Sequence, residues 1–165
     1  MYSLNPSNGK IKQLQAKEDV ISDYSIANQA FEMVYFGLSA SNSQRLYTYN
    51  LKNDASSCLI DLSKEILRDV TLGEVQDWNF VSAQGDTIYG RFYLPPHFDA
   101  TKKYPMIVNY YGGTTPTARV MESRYPSHVY AGLGYIVYII QPSGATGFGQ
   151  EFSARHVNAC LLYTS

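Results

Sequence analysis

The residues best suited to do chemistry stand in two glycine-rich stretches. The first is Tyr110-Tyr111-Gly112-Gly113, which closes an apolar run. A phenol held at a strand end can donate its O–H to a developing oxyanion. Glycines that follow a buried strand let the backbone turn sharply and present N–H groups to the same charge. A strand-end turn around a core tyrosine would leave the same pattern, and from the residues alone both readings stay open.

The second stretch, Gly144-Ala145-Thr146-Gly147-Phe148-Gly149, follows a strand and precedes a helix, as a dinucleotide loop would. Its glycines run in the opposite order to GxGxxG, which needs the tight turn first and the close helix contact last. The chain also ends before an acidic partner about 20 residues on could occur. A nucleotide site is therefore not expected.

Nucleophilic catalysis through serine calls for GxSxG at a strand-to-helix elbow, with Asp and His in reach. No GxSxG occurs, and Ser143, in Gln141-Pro142-Ser143-Gly144, reads as a loop serine. His97, His128 and His156 are isolated and lack metal-ligand spacing, so surface or packing roles are expected. Arg155 could pair with a carboxylate or simply be solvated. Cys58 and Cys160 form neither a disulfide framework nor a metal pattern.

The elements that must position these residues change character along the chain. Pro, Asn and Gly within Leu4-Asn5-Pro6-Ser7-Asn8-Gly9-Lys10-Ile11 predict a hairpin. Short strands follow over 20–26, 31–38 and 45–51, separated by Asn-, Ser- and Gln-rich turns, a spacing that suits propeller blades or a sandwich. Residues 61–71 lack strand alternation and read as a linker with one helical turn. A second hairpin is expected from 75–81 and 87–94, with Ile88, Phe92 and Leu94 on one face.

From there the order becomes strand, connection, strand. The runs 106–111 and 135–140 are apolar on both faces, as buried parallel strands are. The connection 114–134 is long enough for a crossover, with Ser127 as candidate N-cap and Gly132 or Gly134 as the stop. In open α/β sheets ligands lie outside the carboxyl ends of the strands, which singles out the loops 110–117 and 142–150. Trp78, the single tryptophan, is expected to pack between the two parts.

Bulk composition narrows the function classes. The 165 residues are 45% apolar, and 13 basic against 14 acidic side chains give a net charge of −1. No charge run advertises a nucleic-acid or anionic-membrane surface. Fifteen Tyr and seven Phe suit half-buried strand faces with polar tips. The start has neither the basic residues nor the apolar core of a signal peptide, and no apolar run reaches membrane-spanning length.

Residues 75–159 resemble the start of the catalytic domain in the prolyl oligopeptidase and dipeptidyl peptidase IV family. The resemblance is carried by Trp78-Asn79-Phe80 with Gly85, Ile88-Tyr89-Gly90, Tyr93-Leu94-Pro95-Pro96-His97-Phe98-Asp99 and Lys103-Tyr104-Pro105. It continues through Tyr110-Tyr111-Gly112-Gly113 and from Gly134-Tyr135 to Gln141-Pro142-Ser143-Gly144-Ala145-Thr146-Gly147-Phe148-Gly149. Residues 1–70 resemble, more weakly, the last blade or blades of the family's β-propeller.

The resemblance implies a mixed fold: partial β-propeller blades in 1–70, then the N-terminal part of an α/β-hydrolase peptidase domain in 71–159. It implies that Tyr111, immediately before Gly112-Gly113, gives its hydroxyl to the oxyanion hole, while Tyr110 faces the other way by strand alternation. The nucleophile serine and its Asp and His lie downstream in the family, so this chain is expected to be an inactive, poorly soluble fragment of a serine-type peptidase.

For the parent protein the resemblance implies hydrolysis of short peptides through an acyl-enzyme, with no cofactor, and no nucleic acid among its partners. It also implies a periplasmic or extracellular site and leaves room for a homodimer. An esterase or acyl hydrolase of the α/β-hydrolase class, and a non-catalytic β-rich binding module, are the alternatives. Many relatives carry Asp-x-Arg-Gly where this chain has Gln141-Pro142-Ser143-Gly144, a bacterial subgroup pattern that leaves bond specificity open. Residues 160–165, Cys-Leu-Leu-Tyr-Thr-Ser, depart from the family pattern and match what a transposon-end sequencing adapter would encode, so they are expected not to be biological.

Overall fold

The structure is a computed structural model and describes residues 1–83, 85–155 and 157. His156 and residues 158–165, Cys160 among them, lie outside these. The chain divides into two compact units, Met1–Val70 with Val120–Glu122, and Thr71–Arg119 with the described residues from Ser123 onward.

In the first unit, β1 (Tyr2–Leu4) and β2 (Ile11–Gln13) form the expected antiparallel hairpin, pairing Leu4 with Ile11. Strands β3 (Val20–Ile26), β4 (Glu32–Leu38), β5 (Arg45–Asn50) and β6 (Ala55–Asp61) then build a four-stranded antiparallel sheet in sequential order. Strand β6 has no counterpart in the sequence reading, because Ser56, Ser57 and Cys58 give it no apolar alternation. Pairing with β5 creates it, Tyr49 opposite Ser56 and Thr48 opposite Ser57. Asp61, expected to open a linker, is its last residue. One helical turn, α1 (Ser63–Ile66), follows.

The core of this unit explains the tyrosine-rich composition. Leu14, Met33, Tyr35, Tyr47 and Tyr49 cluster, and Tyr35 and Tyr47, directly opposite on β4 and β5, stack with centroids 5.1 Å apart. Their rings are buried while their hydroxyls hold the segment that crosses them. The Tyr35 hydroxyl accepts the Lys17 N–H at 2.8 Å, and that of Tyr49 accepts the Gln15 N–H at 3.0 Å. Tyr47 donates to the Glu18 carboxylate, which also receives Arg45 at 3.0 Å. Burial, reinforced by Glu18, pushes the Tyr47 phenol far above its ordinary pKa. Each tyrosine supplies an apolar body and a satisfied polar tip.

The second unit holds one four-stranded sheet in the order β7-β8-β10-β9. Strands β7 (Val75–Val81) and β8 (Thr87–Tyr93) are the expected hairpin; β9 (Met106–Asn109) and β10 (Ile136–Ile140) are parallel. Because β10 also pairs antiparallel with β8, the sheet is mixed and not purely parallel. Strand β10 is buried at Val137, Tyr138 and Ile139, whereas β9 is the last strand in the order and exposes Met106 and Val108. Its double-sided apolar pattern does not, in the described residues, correspond to double-sided burial.

The connection between β9 and β10 contains α2 (Ser127–Gly132). Pro126 takes the cap position, so Ser127 is the first helical residue and is buried, not an N-cap. The helix stops where expected: Gly134, at φ +93°, donates its N–H to the Ala131 carbonyl at 2.9 Å. A short helix, α3 (Gln150–Ala154), follows the second glycine-rich loop.

Trp78 packs with Phe80, Phe92 and Tyr138, all of the second unit. The ring of Tyr138 lies across Gly90, where an added Cβ would sit 2.1 Å from its hydroxyl oxygen. Glycine is what lets the tyrosine lie flat on the sheet.

Candidate functional site

Three chain segments meet at one end of the second sheet, and the strand register explains why. Asn109, the last residue of β9, pairs with Ile139, and Ile140, the last of β10, pairs with Gly90 in the middle of β8, while the Gln141 N–H continues to the Tyr89 carbonyl. The loops after β9 and β10 and the turn before β8 therefore emerge together. The two loops singled out from sequence are joined directly. Thr146 donates its N–H to the Thr114 carbonyl at 2.8 Å and its hydroxyl to the same oxygen at 3.2 Å.

Gln141 makes the second join. Its side-chain oxygen accepts the Thr117 N–H at 2.8 Å, and its amide nitrogen donates to the Thr117 carbonyl at 2.7 Å. The Thr117 hydroxyl adds a bond to the Ile140 carbonyl at 3.1 Å. A side-chain amide thus imitates one rung of a β-ladder, satisfying backbone groups that no strand pairs.

Tyr111 precedes both joins, three residues before Thr114. Since β9 ends at Asn109, strand alternation does not govern Tyr110 and Tyr111. Both line one cleft of about 390 Å³, together with Asn109, residues 115–118 and residues 123–125. The Tyr111 ring lies against Gly113, where a Cβ would come within 2.6 Å of Cε1. Tyr111 is 55% exposed, and its hydroxyl makes no hydrogen bond to another described residue. An O–H donor on a residue that lines a cleft, its ring against a glycine and its hydroxyl unclaimed by the described residues, is available to a ligand's oxygen.

The second loop is buried through Ala145 and mostly exposed from Thr146 to Gln150. Gly144, Gly147 and Gly149 have φ values of +87°, +92° and +101°, and Ala145 is buried. Phe148 stacks on Tyr89 at 4.9 Å and touches Phe152 at 5.6 Å.

Ser143 does more than the loop role read from its context. It donates to the buried Asp86 carboxylate at 2.9 Å, and Arg155 forms an ion pair with the same group. Arg155 therefore takes the carboxylate partner that was one of its two readings. Asp86 and the Thr117 backbone were not picked out from sequence, and nothing local signals them, because their partners lie 57 and 24 residues away. A glutamine ending an apolar strand is the one available hint.

The histidines described do not join this group. His128 meets the Tyr93 ring edge-on at 5.0 Å, and His97 is an exposed turn residue at φ +57°. Cys58 is a free, exposed thiol. Among the described residues no three His, Cys, Asp or Glu side chains gather to hold a metal ion, and no helix is long and apolar enough to cross a membrane.

No protein-family model matches the chain. Individual proteins do. The chain is 29% identical over 156 residues to dipeptidyl-peptidase 5 of Porphyromonas gingivalis, an alignment covering 94% of this chain and 22% of that protein. That match and the solved structures below support the resemblance to the prolyl oligopeptidase and dipeptidyl peptidase IV family.

Solved structures share this fold over nearly the whole chain. The acylaminoacyl peptidase of Pyrococcus horikoshii superposes with a TM-score of 0.74 at 20% identity, covering 90% of this chain and 23% of that one. Dipeptidyl peptidase 4 of P. gingivalis gives 0.74 at 16% identity, covering 94% and 22%. The chain thus spans less than a quarter of the length of these relatives.

Proposed function

We propose that this chain is part of a serine-type peptidase, in which Tyr111 donates its hydroxyl to the oxyanion of the tetrahedral intermediate. Residues 1–70 are the C-terminal end of a β-propeller-like domain, and residues 71–159 are the N-terminal portion of an α/β-hydrolase domain. The nucleophile serine and its Asp and His are contributed by chain beyond this segment, and the substrate is a short peptide cleaved through an acyl-enzyme. On its own the segment has no turnover.

The observation that carries this reading is the placement of Tyr111. Its phenol is seated on Gly113 at the carboxyl end of a parallel strand, faces an open cleft and has no described hydrogen-bond partner. A tetrahedral intermediate concentrates negative charge on one oxygen. An O–H donor at that position stabilises the charge more than it stabilises the neutral carbonyl of the bound substrate. The reaction then gains in kcat rather than in binding.

The test is Tyr111→Phe in the full-length protein, assayed on fluorogenic dipeptide and N-acylated peptide substrates. Loss of one oxyanion donor is expected to lower kcat about 100- to 1,000-fold with little change in KM. Peptide turnover at the wild-type rate by the folded variant would remove Tyr111 from the chemistry.

A further inference from the structure

We infer that Gln141 is a positioning residue for the Tyr111 donor, acting through the backbone of Thr117; this rests on the oxyanion role proposed above. Gln141 is 1% exposed, and both ends of its amide are engaged with Thr117. The segment that carries Tyr111 leaves the sheet at Asn109, which is fixed by pairing with Ile139. It is fixed again at Thr114 by Thr146 and at Thr117 by Gln141. Between Asn109 and Thr114 run Tyr111, Gly112 and Gly113, with the Gln141 pin three residues beyond, and two consecutive glycines hold no conformation by themselves.

The chemistry of the pin is specific. A primary amide offers a donor and an acceptor on one rigid plane, which matches the antiparallel N–H and C=O of one peptide residue. A carboxylate in its place could still accept the Thr117 N–H but would set negative charge against the Thr117 carbonyl oxygen. An alkyl side chain would leave both backbone groups unpaired in a buried place. Thr117 lines the same cleft as Tyr111, so displacement there alters the lining the phenol shares.

The experiment uses the full-length protein with Gln141→Glu, Gln141→Asn, Tyr111→Phe and the double variant Q141E/Y111F. At pH 8, Gln141→Glu is expected to lower kcat about 10- to 100-fold with KM nearly unchanged, the scale of a donor misplaced by about 1 Å. In the Tyr111→Phe background the same change is expected to cost little more, because the donor it positions is already gone.

The ratio of Gln141→Glu to wild-type kcat is expected to rise as pH falls. Burial raises the pKa of the introduced carboxyl group, and once protonated that group regains a donor for the Thr117 carbonyl. Should Gln141→Glu fold poorly by circular dichroism, Gln141→Asn decides. It keeps the amide one methylene short and is expected to show a smaller kcat loss that also vanishes without the Tyr111 hydroxyl.

An unchanged kcat in the folded Gln141 variants, or an equal loss with and without the Tyr111 hydroxyl, overturns the positioning role while leaving the oxyanion reading intact. A wild-type rate for Tyr111→Phe overturns both.

Discussion

Adding a single methyl at Gly113 separates the function of this site from the stability of the fold. A Cβ there would lie 2.6 Å from Tyr111 Cε1, 3.2 Å from Cζ and 3.3 Å from Cδ1. Relaxing the nearest contact to an ordinary carbon–carbon distance of about 3.5–4.0 Å moves the ring edge by roughly 1 Å. The ring is more than half exposed and has room to swing into the cleft, so little is stored as strain. Gly113 has no positive φ, and alanine there restricts the unfolded chain, worth about 0.4–1 kcal/mol in favour of folding. Folding stability is therefore expected to change by less than about 1 kcal/mol.

Turnover responds differently. A reacting group misplaced by about 1 Å costs on the order of 100-fold. Gly113→Ala in the full-length protein is expected to keep its thermal midpoint within a few degrees while kcat falls about 10- to 100-fold and KM stays near the wild-type value. Steady-state kinetics on a peptide substrate beside a calorimetric melt reads both. A variant with normal kcat, or one whose lost activity tracks lost folded protein, refutes the claim that Gly113 seats the Tyr111 donor.

The same methyl at Gly90 has the opposite signature. Tyr138 is buried there between Phe92 at 4.3 Å and Trp78 at 5.5 Å, so it cannot yield, and Gly90→Ala is expected to destabilise by about 2–3 kcal/mol, read as a lower thermal midpoint. Tyr47→Phe removes one of the hydrogen bonds on the largely buried Glu18 carboxylate, about 2 kcal/mol for a bond to a charged group. The amides of Gln15 and Lys17 should then exchange with solvent about 30-fold faster, the same energy expressed as a ratio, and unchanged protection would show that Tyr47 does not hold this segment.

Asp77 accepts a hydrogen bond from Arg91 at 2.6 Å, which holds its carboxyl below the usual range. A depressed carboxyl stabilises above its unfolded pKa of about 3.9, and that contribution fades as pH falls through the lower folded value. Asp77→Asn should therefore flatten the stability profile below about pH 4. At neutral pH it should cost under about 1 kcal/mol, since Asp77 is largely exposed and the pair is screened. An unaltered acid limb in the variant would discard the pair as its source.

Much of the architecture was legible because it is local. Turn residues in Leu4-Asn5-Pro6-Ser7-Asn8-Gly9 predict the first hairpin, and strand patterns over 75–81 and 87–94 predict the second. Apolar runs joined by a long connection predict the parallel pair β9 and β10. Strand β6 was not legible, because its serines become a strand only by pairing with β5. Nor was the exposure of β9, since burial depends on which neighbour a strand receives and not on its own pattern.

By itself the sequence determined which groups could do chemistry: a tyrosine before two glycines, and no nucleophile elbow. That information lies in residue types and short spacings, which survive without a fold. Only the tertiary structure decided that Gly113 seats the Tyr111 ring, that Gln141 grips Thr117, and that Ser143 and Arg155 converge on Asp86. Those contacts join residues on different elements. The sheet order β7-β8-β10-β9 brings them together, and that order is set by hydrogen bonding between strands far apart along the chain.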